Sequence, residues 1–135
     1  LQRPVRAIND ADLQGLGVVR GEGVELVLTL GTGMGAALFT DGALVPNLEL
    51  GHHPMRDGMT YEDLVRDSEF KRIGPAEWTA RVIEAIGQIE ALFNYDTLHL
   101  GGGNARNLRS ILPANVRVFT LAEALCGALK VWDDA

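Results

Sequence analysis

Asn9 and Asp10 stand side by side where a short apolar stretch gives way to a helical pattern. A carboxylate at such a point can take a proton from an attacking hydroxyl while the neighbouring carboxamide orients the same substrate. The pair would serve equally as a helix cap, because a short side-chain oxygen accepts a first-turn N–H. Glu49 and His52 form a second polar pair, three residues apart in a stretch that reads as a loop. They could hold vicinal sugar hydroxyls, each side chain donating or accepting; a solvated loop would use the same residues with no ligand. His53 follows directly, which raises zinc. Zinc wants about four ligands, and Cys126 is the only cysteine, so a structural zinc site is rejected.

The chain carries 16 glycines, and their clustering matters more than their number. Gly31, Thr32 and Gly33 sit in a Gly-Thr-Gly-Met-Gly turn between two apolar runs. Glycines let a backbone approach a phosphate closely and a threonine hydroxyl can donate to it, although glycine turns between strands also serve as turns alone. Gly101, Gly102, Gly103 and Asn104 follow a strand pattern and precede a helical one. That order could cradle a nucleotide against a helix N-terminus or be a structural turn, and its spacing is not that of a dinucleotide-binding loop. Glu62 belongs to an acidic helix start, favourable there through the helix dipole.

The elements that would position these residues can be read from apolar spacing. Residues 4–8 suggest a short strand, and Leu13, Leu16 and Val19 put an apolar row on a helix over residues 10–20. Val24–Leu30 and Ala36–Thr40 read as strands, with Asp41-Gly42 turning into a returning strand at 43–45. Residues 47–57 are expected to be loop, with short helices at 61–65 and 69–73. Pro75 opens the longest helix, to about Phe93, with Val82, Ile86, Ile89, Leu92 and Phe93 on one face. Strands at 97–100 and 116–119 alternate with helices from about Ala105 and over 121–131. One α/β domain follows, hairpins first and alternating elements after.

Composition bounds the function classes. The 135 residues are 47% hydrophobic and 22% charged, enough to build one core. A net charge of −6 disfavours nucleic acid as a partner. A lone cysteine fits a reducing compartment, hence the cytoplasm, and no apolar run is long enough to span a membrane. Leu1 opens the chain without a methionine, so residues are expected to precede it.

Taken in order, these features resemble the ROK family of sugar kinases, and within it the glucokinases of the polyphosphate/ATP type. The resemblance runs from about Val5 to Leu129 and is most specific over residues 28–52, LTLGTGMGAALFTDGALVPNLELGH. It implies an α/β, actin-like ATPase (ribonuclease H-like) lobe, a mixed sheet with hairpins flanked by helices. Asp10 then matches the general base acting on the sugar 6-hydroxyl, and Asn9, Glu49, His52 and Glu62 match sugar-binding positions. Gly31, Thr32 and Gly33 match a phosphate loop, and Gly101, Gly102, Gly103 and Asn104 the nucleotide side. The implied donor is ATP or polyphosphate with Mg²⁺, the implied acceptor glucose or a related hexose, and a homodimer is common in the family. The Cys-rich zinc motif of many members is missing, as it is from the polyphosphate-using branch. The Asp-x-Gly-x-Thr loop of the family's N-terminal lobe is also missing, so these residues are expected to be the C-terminal lobe alone. A sugar-responsive ROK-type repressor is the alternative, decided by what lies upstream.

Overall fold

A computed structural model describes residues 9–46 and 48–133. The strand expected at 4–8 lies outside the described residues. The chain forms helix α1 (Asp10–Val18), then β1 (Val24–Leu30), β2 (Met34–Thr40) and β3 (Ala43–Val45). A small hairpin, β4 (Pro54–Arg56) and β5 (Met59–Thr60), leads into α2 (Tyr61–Val65), α3 (Asp67–Ile73) and α4 (Pro75–Phe93). β6 (Thr97–Gly101), β7 (Val116–Val118) and α5 (Leu121–Asp133) complete the order.

Five strands form one sheet in the order β3-β2-β1-β6-β7. β1 and β2 are antiparallel, as are β2 and β3, whereas β1–β6 and β6–β7 run parallel. This is the mixed sheet with hairpins that the resemblance implied. Period-two alternation distributes its side chains. Leu26, Leu28 and Leu30 of β1 join Ala36, Leu98 and Leu100 in a core with Trp78, Val82, Ile86 and Ile89 of α4. On the opposite face, Val27, Ala37 and Phe39 pack with Ala11 of α1 and Ala124 of α5. Both faces are covered, which is why β1 reads as an almost unbroken apolar run.

Buried polar groups are tied down. Glu25, 1% exposed, accepts the Arg20 and Gly21 N–H groups and meets His99 Nε2 at 2.9 Å across the β1–β6 pair. Burial works to raise the Glu25 carboxyl, but these hydrogen bonds outweigh it and hold the group below its usual range. The Trp78 indole N–H donates to the Val65 carbonyl at 2.7 Å, fixing α4 to the end of α2.

Three local expectations are corrected. The buried face of α1 is Ala11, Asp12, Gln14 and Gly15, with the Leu13–Leu16–Val19 row only half-buried. Small residues face inward there because α1 approaches the Phe39 ring and the backbone of α5 too closely for leucine. Residues 47–57 hold a 3₁₀ turn, Leu50–His52, and strand β4. Asp57-Gly58 turns the β4–β5 hairpin with both residues at positive φ, as Asp41-Gly42 does for β2–β3. Finally, no α-helix starts at Ala105. A 3₁₀ turn over Ala105–Asn107 ends in extended Leu108, and the chain reaches β7 without further regular structure.

Candidate active site

The β1–β2 register pairs Leu30 with Met34, so Gly31, Thr32 and Gly33 form the whole loop between these strands. Two contacts from below hold it. Glu62 Oε1 accepts the Met34 N–H at 2.9 Å, and the Asp67 N–H donates to the Gly31 carbonyl at 2.9 Å. A capping box between Thr60 and Asp63 fixes the start of α2 and so sets where Glu62 reaches. Among the described residues, the Thr32 and Gly33 N–H groups have no hydrogen-bond partner.

Beside this turn opens a cleft of about 800 Å³, lined among others by Asn9, Asp10, Gly31, Thr32, Gly33, Glu62, Gly102 and Gly103. β1 and β6 are parallel with Thr29 opposite Gly101, so the two glycine loops emerge together at one end of the sheet. Asn9 caps α1, its Oδ1 accepting the Asp12 N–H at 3.1 Å, which leaves Asp10 at the first helical position, exposed in the cleft. Capping and cleft lining therefore coincide in one dipeptide. Thr120 caps α5 in the same way and also lines the cleft. Two helix N-termini thus open into it, each favouring negative charge.

The remaining expected residues stand at the edge or beneath. His52 is not among the lining residues, its Nε2 standing 3.8 Å from Glu62 Oε2. Glu49 is exposed near α1, close enough that its charge, after burial, helps push the Asp12 carboxyl above the usual range. Gly101 is buried under the Phe119 ring, which a Cβ would strike. Asn104 is a structural clip: its N–H donates to the Leu30 carbonyl, Nδ2 to Asp67 Oδ1 at 3.1 Å, and Oδ1 accepts from Asn107 Nδ2. With only a 3₁₀ turn after it, the Gly101–Asn104 loop has no helix dipole to offer a nucleotide; the N-terminus of α5 is the helix end on that side.

Sequence reasoning missed Gln14 and Arg106, both of which line the cleft. Arg106 is the one basic side chain among its lining residues. Nothing in the residue types or spacing around either one points to the cleft.

The chain as a whole is similar to known proteins. The chain is 32% identical over 117 residues to the polyphosphate glucokinase of Mycobacterium tuberculosis (strain H37Rv), covering 81% of this chain and 44% of that protein. The Mycobacterium leprae polyphosphate glucokinase matches at 32% over 117 residues, covering 36% of its own length. In structure, the inorganic polyphosphate/ATP-glucomannokinase from Arthrobacter sp. strain KM superimposes with a TM-score of 0.78 at 30% identity, covering 98% of this chain and 58% of that one. The ROK family glucokinase from Streptomyces griseus, solved with glucose and AMPPNP, has a TM-score of 0.68 at 14% identity, covering 98% and 69%. Together these matches support a ROK-type sugar-kinase fragment. No family model matches the sequence. The chain spans less than half the length of the curated relatives it matches, and its sheet and flanking helices are those of the actin-like sugar-kinase fold.

Proposed function

We propose that this chain is the C-terminal lobe of a sugar kinase that moves a phosphoryl group from ATP or polyphosphate to the 6-hydroxyl of glucose or a related hexose. The observation that carries the reading is the shared cleft: the exposed Asp10 carboxylate and the braced Gly31–Gly33 turn line the same cavity. Asp10 would accept the hydroxyl proton as the new O–P bond forms, an effect typically worth about 10²–10⁴-fold. Asn9, Glu49, His52 and Glu62 would hold the sugar around it. The transferred group would lie against the Gly31–Gly33 turn, where unpaired N–H groups and the helix ends meet its charge. Gly102 and Gly103 border the donor's far side, with Arg106 as the nearby cation.

The apolar strip of Val118, Leu121, Leu125 and Leu129, exposed along β7 and α5, supports a two-lobe arrangement. Val118 and Leu121 also line the cleft, so a second lobe closing over it would cover them and exclude water. Mg²⁺ does not fit as an ion caged by this chain, because among the described residues no three Asp, Glu, His or Cys side chains converge on one position. Likewise, no helix among the described residues is long and apolar enough to cross a membrane.

The test is phosphorylation of glucose by the intact protein with Mg²⁺ and either ATP or polyphosphate, beside Asp10→Asn. Donor-dependent glucose 6-phosphate that the substitution abolishes is the expected result and names the donor. Sugar binding without turnover on either donor would move the function to the sugar-responsive repressor.

A further inference from the structure

Gln14 is 5% exposed, yet its side chain lines the cleft one helical turn after Asp10. Its Nε2 donates to Asp10 Oδ2 at 3.0 Å. Its Oε1 is buried with no hydrogen-bond partner among the described residues. A buried amide oxygen left unpaired is destabilising, and an apolar side chain of the same length would avoid that cost. Rotating the amide would not help, since oxygen would then face the Asp10 carboxylate. The hydrogen bond to Asp10 is therefore what this buried amide does here.

We propose that Gln14 is a positioning residue for Asp10. By tying up Oδ2 it stops the carboxylate from turning about its last bond and leaves Oδ1 to meet the incoming hydroxyl. Gln14 touches neither sugar nor donor in this arrangement; it acts through Asp10. The inference rests on Asp10 being the base, and it goes further by assigning a determinant of that base's aim.

The test uses the intact protein with glucose, Mg²⁺ and its active donor, comparing wild type, Asp10→Asn, Gln14→Met and Gln14→Glu. Both Gln14 variants keep the length of the side chain and lose the N–H donor. Turnover is expected to fall by about tenfold or more, because small misplacements of a reacting group are costly. The glucose KM should stay within about twofold. The melting temperature of Gln14→Met should equal or exceed that of wild type, since the orphaned oxygen is gone. A structural residue would show the reverse, a lower melting temperature with turnover and affinity lost together. Wild-type turnover in either folded variant overturns the inference, and so does failure of both variants to fold. An inactive wild type, or a fully active Asp10→Asn, removes the kinase reading and this inference with it; a fault confined to the Gln14 variants removes the inference alone.

Discussion

Glu62 Oε1 accepts the Met34 N–H at 2.9 Å, while Oε2 of the same carboxylate faces His52 at 3.8 Å. One side chain thus braces the Gly31–Gly33 turn and faces His52. The sequence reading placed Glu62 with the sugar alone. In the proposed reading, its second attachment means that acceptor and donor sites share a support.

That sharing separates two substitutions. Glu62→Gln keeps an oxygen that can accept the Met34 N–H, whereas Glu62→Ala leaves a partly buried donor unpaired. In the intact enzyme, Glu62→Ala is expected to raise the KM of the phosphoryl donor by about tenfold, with a smaller rise for Glu62→Gln. Initial rates over a donor series decide it, and equal donor KM values in both variants would contradict the bracing role.

The three consecutive glycines should not respond alike. Gly102 has φ +87, and a Cβ there would run into the Leu30 backbone, while a Cβ on Gly103 meets nothing within 4 Å. Gly102→Ala should cost at least about 1–3 kcal/mol, through strain and displacement of the β1 end. Gly103→Ala should melt like wild type. Thermal denaturation of the pair checks this, and similar melting temperatures would refute the close approach.

Asp12 gives a pH signature. Burial first, and the Glu49 charge second, hold its carboxyl above the ordinary 3.8. The folded state then binds this proton more tightly than the unfolded chain. The group's stabilising contribution is present below the ordinary value and is lost as pH rises through the raised one. Asp12→Asn, always neutral, should exceed wild type in stability at neutral pH, and the gap should close towards the ordinary Asp value. Denaturation midpoints across that window test it; a gap independent of pH would contradict the shift.

Tyr95 is the simplest case. Its hydroxyl is buried without a partner among the described residues, and burial, then the Glu90 charge, pushes it up to about 12. Tyr95→Phe should leave stability unchanged or raise it by about 1 kcal/mol. A clear drop in melting temperature would mean that the hydroxyl is hydrogen-bonded in solution.

Much of this fold could be read where the signal is local. Asp41-Gly42, Pro75 at the head of α4 and the Asn9 cap each act within a few residues, and each element formed where it was expected. Asp57-Gly58 carried the same hairpin signal and was passed over because its strands are only three and two residues long. The helix expected after Asn104 failed for a reason far away in the chain. Asn104 is tied to Leu30 and Asp67, and the Arg109 N–H donates to Thr79 Oγ1 at 3.1 Å. Those partners hold the segment against β1, α3 and α4 instead of letting it coil. The site divides along the same line. Asn9, Asp10 and the Gly31–Gly33 turn announce themselves by type and spacing. Gln14 enters the cleft one helical turn after Asp10 on α1, and Arg106 from the 3₁₀ turn behind the glycine loop.

Gly17 and Gly127 mark where α1 and α5 cross, and neither position has room for a Cβ: on Gly17 it would strike the Ala124 carbonyl, on Gly127 that of Gly17. The crossing joins two helices separated by nearly the whole described chain. During synthesis α1 therefore emerges long before the surface it must press against exists. The sheet and α4 can assemble first from nearer contacts, while the helix that carries Asp10 waits for α5. The end of the cleft that carries Asp10 would then be among the last of the described parts to become native.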